Sequence, residues 1–306
     1  CLMTTGNLQW WRRLAAFLEA SIVLGLPFIR IKGESALRFD IPTLRLHFFG
    51  TDIWMEEFFI VLIGIIFLTL LFIFITILFG RVWCGWACPQ TVYMELIFRP
   101  IEQLLEGTRA QQLKLDREGP NVRRLLKFVV YLFVSMFLAH TFLAYFVGTD
   151  QLLEWIRRSP FEHPTGFLIV GAVTGLMMLD FCFLREQVCT LMCPYGRFQS
   201  VLLDRQSLII SYDRKRGEPR GRMTRRRTTD ASAGDCVDCH LCVLTCPTGI
   251  DIRNRLQTEC VGRAACVDAC DESTSTLARP EGLVPYPQLN RLAGTSQPFA
   301  PPPLVF

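Results

Sequence analysis

From Phe58 to Phe79 the chain is apolar throughout, without a charged residue and with hydroxyls only at Thr69 and Thr76. Such a run matches the roughly 20 residues that cross a hydrocarbon core. There its backbone groups can be satisfied only within a helix. Three further stretches are candidates: residues 14–31, holding Glu19 and Pro27; residues 128–147, holding His140; and residues 167–184, with Asp180 near the end. The expectation is an α-helical membrane protein with about four transmembrane helices. Composition agrees, since 51% of the residues are hydrophobic and 24 of them are Phe. No small-residue cleavage site follows the first apolar stretch, so no removable leader is expected.

Basic residues orient these spans. Arg81, Arg99, Arg109, Lys114, Arg117, Arg123, Arg124 and Lys127 lie between the second and third stretches, and more follow residue 184. The positive-inside rule places both segments in the cytoplasm, where thiols stay reduced. The first outer loop is a mild exception, with Arg30, Lys32, Arg38 and Arg45. The basic run from Arg214 to Arg227 has no interleaved aromatic residue and follows a membrane segment. It reads as a linker touching anionic lipid; no nucleic-acid partner is expected.

A pattern C-x3-C-P occurs twice, as Cys84, Cys88, Pro89 and as Cys189, Cys193, Pro194. Each copy closes an outward-to-inward span and precedes an amphipathic stretch, residues 91–105 and 198–208, which makes a weak internal repeat. A residue before proline resists helical geometry, and proline suits the first turn of a helix. Cys88 and Cys193 are therefore expected at helix starts, which favour thiolates. Paired thiolates at a membrane surface suit a soft, low-coordinate ion such as Cu(I). Cys84, Cys88, Cys189 and Cys193 are thus candidate catalytic and copper-binding residues. Cys182 lacks a partner and is expected to pack, and Glu19, His140 and Asp180 are expected to hold no cofactor.

Nearer the C-terminus, Cys236, Cys239, Cys242 and Cys246 follow C-x2-C-x2-C-x3-C, with Pro247 next, and Cys260, Cys266 and Cys270 make a second run. The first run is the ligand spacing of bacterial iron–sulfur ferredoxins, whose fourth cysteine reaches a second cluster. The second run matches it if Arg263 takes the place of a cysteine. By that crossover, Cys236, Cys239, Cys242 and Cys270 hold one 4Fe–4S cluster, and Cys246, Cys260 and Cys266 hold another. With Arg263 offering no bond, the second site is open among a 3Fe–4S form, a labile 4Fe–4S form and an empty site. Zinc sites pair two C-x2-C hooks across a longer gap, and disulfide frameworks belong to small secreted domains.

The segment from Gly80 to Thr91 (GRVWCGWACPQT), Arg185–Cys189, Cys193–Arg197, Lys215–Gly221 and Cys246–Arg253 (CPTGIDIR) together resemble the membrane polyferredoxins called CcoG, FixG or RdxA. The resemblance covers roughly residues 25–285. The resemblance implies two 4Fe–4S clusters and reduction of Cu(II) to Cu(I) for assembly of cbb3-type cytochrome c oxidase. It also implies partners among oxidase-assembly or copper-delivery proteins. Family members carry cysteine at position 263 and continue into a fifth membrane helix and a periplasmic immunoglobulin-like domain. A chain beginning at Cys1 is accordingly expected to be a fragment.

The sequence thus predicts a membrane domain over residues 1–204 and a basic linker over 205–229. A small α+β bacterial-ferredoxin-like domain follows over 230–284, with a proline-rich, disordered tail over 285–306. The location expected is the bacterial inner membrane, with the cluster domain in the cytoplasm. No nicotinamide or flavin fingerprint is present, so the electron donor is expected to be a protein or a quinol. Two other readings are a quinol-oxidising conduit and a copper-holding chaperone without catalysis.

Overall fold

The computed structural model describes residues 7–31, 33–41, 43, 45–54, 58–107, 109–118, 121–159, 161–197, 207–221, 234–254, 257, 259–277 and 279–286. Helix α1 (Asn7–Gly25) gives way at Pro27 to a single 3-10 turn, Leu26–Phe28, and extended chain follows from Arg30. The stretch 14–31 is therefore helical only to Gly25. Among the described residues three helices are long and apolar enough to cross a membrane, spanning residues 59–79, 122–147 and 164–184. These are α2 (Phe58–Phe79), α6 (Val122–Val147) and α8 (Pro164–Leu179), the last prolonged by a wide π-turn, Asp180–Leu184. Phe59, Ile63, Phe67, Leu70 and Phe74 of α2 leave more than half their surface uncovered, which suits lipid and would be costly in water.

The chain divides into two compact units. One comprises Phe17–Leu71 and Val92–Arg185; the other comprises Cys1–Ala16, Phe72–Thr91 and Glu186–Phe306. In the first unit the expected outer loop is a small sheet. Strands β1 (Arg30–Ile31) and β2 (Glu34–Ser35) form a hairpin. Strands β3 (Leu37–Asp40), β4 (Arg45–Phe48) and β5 (Thr51–Trp54) form an antiparallel meander, with Leu37 opposite Phe48 and Arg45 opposite Trp54. Of the basic residues there, Arg38 pairs with Glu34 and Asp40, Arg45 lies 3.7 Å over the Trp54 ring, Arg30 pairs with Asp150, and Lys32 lies outside the described residues.

The residues after Pro89 form one long amphipathic helix. It begins as α3 (Pro89–Tyr93), widens into a π-turn, Met94–Phe98, and continues as α4 (Arg99–Glu106), followed by α5 (Arg109–Glu118). Phe98 stacks on Phe181 at 4.0 Å and meets Tyr131 edge-on, and the Tyr131 hydroxyl donates to the Phe98 carbonyl at 2.9 Å. Beside this core Lys127 lies 2.7 Å from Glu106, and Arg185 lies 2.8 Å from Glu102. Both carboxylates and Lys127 are buried, so each charge depends on its partner. Cys182 packs against the same core. His140 bonds the Met136 carbonyl of its own helix at 2.7 Å. Residues 198–206 of the second amphipathic stretch lie outside the described residues, as do residues 222–233 of the basic linker and 287–306 of the tail.

In the second unit a ferredoxin-like lobe is built on helices Leu241–Thr245 and Ala265–Thr276 around Ile210, Ile252, Val267, Leu283 and Val284. Among its described residues the β component is slight, with Leu208 in a bridge and two backbone bonds beyond it. The amide of Ser211 bonds the Pro285 carbonyl at 3.2 Å, and that of Asp213 bonds the Leu283 carbonyl at 3.1 Å. Arg216 of the basic run pairs with Asp235 at 2.7 Å and donates to the Glu281 carbonyl, so this cation is committed within the lobe. Removing a partner from a buried ion pair costs about 3–5 kcal/mol. Lys127→Ala, which strands the Glu106 carboxylate, is expected to lower the melting temperature of the detergent-solubilised protein clearly, whereas exposed Arg158→Ala is expected to be nearly neutral.

Candidate iron–sulfur and thiolate sites

The seven cysteines gather in two sets along the lines that the crossover spacing predicts. One cavity in the lobe is lined by Cys236, Cys239, Cys242 and Cys270, and a second by Cys246, Cys260 and Cys266, with Cys242 at their boundary. Helix Ala265–Thr276 carries Cys266 and Cys270 four residues apart, and each serves a different cradle. Among the described residues, no three Cys, His, Asp or Glu groups close around one point as a single ion requires. A mononuclear zinc site holds all its sulfurs about 2.3 Å from one metal, whereas a cluster spreads its thiolates over separate irons. The cradles and their all-sulfur donors therefore fit iron–sulfur clusters. Burial pushes the Cys242 thiol up to about 11 and that of Cys270 to about 12, and raises Cys260 and Cys266. Bare thiolates are disfavoured in this lobe, and a cationic iron core offsets that penalty.

The first cradle depends on a residue that sequence spacing did not single out. Asp238 and His240, which alternate with its ligands, both take left-handed backbone conformations, at φ 54° and 59°. Such conformations cost non-glycine residues about 1–2 kcal/mol each. Buried Arg253 holds both: its Nη1 meets the Asp238 carboxylate at 2.5 Å, and its Nη2 lies 2.9 Å from His240 Nδ1. Asp251 binds the same guanidinium at 2.8 Å. Arg253 in turn holds the Asp238 and Asp251 carboxyls below the usual range. The signal in the sequence was one arginine at the end of the Cys246–Arg253 string.

The two C-x3-C-P copies fold alike. Trp83–Ala87 and Val188–Met192 are both π-turns, and Cys88 and Cys193 are both extended residues, at ψ 125° and 112°, just before a proline-led helical turn. Both turns are wider than an α-helix. An aromatic clamp joins the copies: Phe72 contacts Trp83 at 4.7 Å and Tyr195 at 4.8 Å, and the Tyr195 hydroxyl lies 2.7 Å from Thr76 Oγ1. All four thiols share one field. Burial pushes Cys84 up to about 12, with repulsion from Cys88, Cys189 and Cys193 adding and Arg81 opposing. Cys189 is pushed up to about 11 by burial, with Arg263 opposing.

This thiol site touches the second cradle. A Cβ on Gly85 would lie 2.3 Å from the Gly262 carbonyl oxygen, so the two backbones are in contact. Gly262 also needs glycine for its own φ of 72°. Arg81 Nη1 donates to the Cys260 carbonyl at 2.5 Å. Adjacent loops therefore carry the second cradle's Cys260 and the Cys84 turn.

Two family models match the chain: a 4Fe-4S dicluster domain over residues 184–289 and a 4Fe-4S binding domain over residues 60–107. Nitrogen fixation protein FixG of Rhizobium meliloti is 36% identical over 85% of this chain and 50% of its own length. Protein RdxA and Protein RdxB of Cereibacter sphaeroides are 35% and 34% identical, over 91% and 92% of this chain and 59% and 60% of their own. The chain belongs to the FixG/CcoG/RdxA family. It is an iron–sulfur membrane protein, and it spans half to three-fifths of the length of these relatives. No solved structure matches this FixG-family chain significantly.

Two substitutions test the geometry. Arg253→Ala is expected to lose the cluster of the first cradle and keep that of the second, read as loss of one electron paramagnetic resonance (EPR) component and a matching fall in iron. Gly85→Ala inserts a methyl against backbone. At the about 1–3 kcal/mol typical of overpacking, it is expected to lower the melting temperature and loosen residues 259–264 in hydrogen exchange.

Proposed function

We propose that this protein carries electrons singly from its ferredoxin-like lobe to copper held by Cys84, Cys88, Cys189 and Cys193. There Cu(II) takes up one electron and leaves as Cu(I) for assembly of a cbb3-type oxidase. The observation that carries this reading is the gathering of two soft thiol pairs beside the loop of a cluster cradle, in one compact unit. Bound in the lobe, clusters supply one-electron chemistry over roughly −700 to +450 mV. Two thiolates suffice for a low-coordinate soft ion, so a cargo site needs no closed cage. Orientation with the thiols and lobe in the cytoplasm of a bacterial inner membrane follows from the basic residues. The partners are an electron donor and a copper acceptor of the assembly pathway.

A second reading has its own observation. A cavity of about 530 Å³ lies between α6, α7 (Thr149–Arg157) and α8, lined by Met136, His140, Trp155, His163 and Thr174 among others. The Thr174 hydroxyl is buried there without a hydrogen-bond partner. Its size suits a small amphiphile, and a quinol there would make the chain a quinol-oxidising conduit. Rapid cluster reduction by a short-chain quinol, lost in Thr174→Leu, is the mark of that reading.

The copper reading is tested anaerobically on cluster-loaded protein reduced with dithionite and freed of excess. Adding Cu(II) is expected to bleach the reduced-cluster EPR signal while a chelator reports equivalent Cu(I). Replacing Cys84 and Cys189 with serine is expected to abolish copper binding and leave iron content intact. Unchanged copper stoichiometry in that double variant would sink the assignment, and copper bound with the clusters still reduced would mark a chaperone.

A further inference from the structure

The meander between α1 and α2 is closed on its polar side and open on its apolar one. Side chains alternate across a strand, and the register of β3, β4 and β5 sorts them cleanly. Arg38, Asp40, Arg45, His47, Asp52 and Trp54 share one face; Leu37, Phe39, Leu46, Phe48 and Ile53 share the other, with Thr51. On the polar face His47 is buried and lies 2.6 Å from Asp52, and Arg38, mostly covered, pairs with Glu34 and Asp40. On the apolar face Phe39 and Phe48 are 43% and 49% exposed. An antiparallel sheet with one face in water shows the opposite arrangement, its apolar side covered and its polar side open.

The hairpin tip carries the same feature further. Phe49 and Gly50 join β4 to β5 with positive φ, 48° and 80°. That conformation suits asparagine or glycine and is rare for a bulky residue. Here it holds a second ring, more than half exposed, 4.9 Å from that of Phe48. Two connections tie this apolar side to the long apolar helices. The ring centroids of Phe39 and Phe146 lie 6.0 Å apart and those of Phe146 and Phe142 5.1 Å apart, a ladder that runs on to the exposed side of α6. Three residues separate Trp54 from Phe58 at the start of α2, a reach of no more than about 14 Å.

We propose that the meander is a lipid-seated platform. Its apolar face and the Phe48–Phe49 tip bed into the boundary between phospholipid headgroups and acyl chains, as the apolar side of an interfacial helix does. The ion-paired face is turned away from the lipid. A contiguous exposed apolar area calls for a cover, either a protein or a membrane. Continuity selects the membrane: the area extends, ring by ring, the exposed side of a helix long and apolar enough to span a bilayer, and its last strand leads within a few residues into another.

The experiment uses the full chain, loaded with clusters, in nanodiscs of phosphatidylethanolamine and phosphatidylglycerol. A photoreactive benzoylphenylalanine replaces Phe39, Phe48 or, on the other face, Asp52, and cluster absorbance checks that each variant has folded. Illumination is expected to give phospholipid adducts at positions 39 and 48 and none at 52, read by mass spectrometry. A second measurement needs no substitution. In hydroxyl-radical footprinting of the wild-type protein, Phe48 and Phe49 are expected to lose the labelling that Trp54 on the opposite face keeps. Crosslinks from position 48 to a second protein chain in place of lipid overturn the proposal and mark a protein-docking face. Labelling of Phe48 and Phe49 as strong as that of Trp54 overturns it as well, by showing that the tip stands in water.

Discussion

The contact of Gly262 with Gly85, backbone against backbone, is the constraint on which the second unit depends. A side chain on Gly85 would separate the loop carrying Cys260 from the turn carrying Cys84. The Arg81 hydrogen bond to the Cys260 carbonyl fixes the same approach with a charge. Rigidity at this junction comes from closeness of main chain. The aromatic clamp of Phe72, Trp83 and Tyr195 then brings the second thiol pair to the first.

Buried charge is the second theme. In the first unit Glu102, Glu106, Lys127 and Arg185 neutralise one another beside an aromatic core. In the lobe Arg253 gathers Asp238, Asp251 and His240 under a strained ligand loop. Such groups are costly to bury singly and tolerable as satisfied sets. They specify one arrangement of loops that few apolar contacts could fix.

Much of this was legible in the residues. The charge-free run at α2, the two C-x3-C-P copies and the crossover of seven cysteines each stated a local geometry, and the thiols fall into the cradles that spacing assigned. The stretch 14–31 was misleading, because its helix ends at Gly25, just before Pro27, and the chain turns into strands. The β-meander was hidden in an expected loop, since its strands are four residues long and alternate only weakly. The basic run read as lipid-facing contains Arg216, which pairs within the lobe instead. Arg253 could not be found by spacing, because its role lies in which carboxylates meet it.

Sequence by itself determined three long apolar helices, the spacing of the cysteines and the proline-led turns, because hydrophobic length, residue spacing and the conformational limits of proline are local properties. Only the tertiary structure decided that the thiol pairs meet each other, that they meet the second cradle, and that Arg263 faces Glu186. Those juxtapositions join residues more than seventy positions apart. They are set by glycine contacts, ring packing and ion pairs, whose energies exist only once the chain has closed on itself.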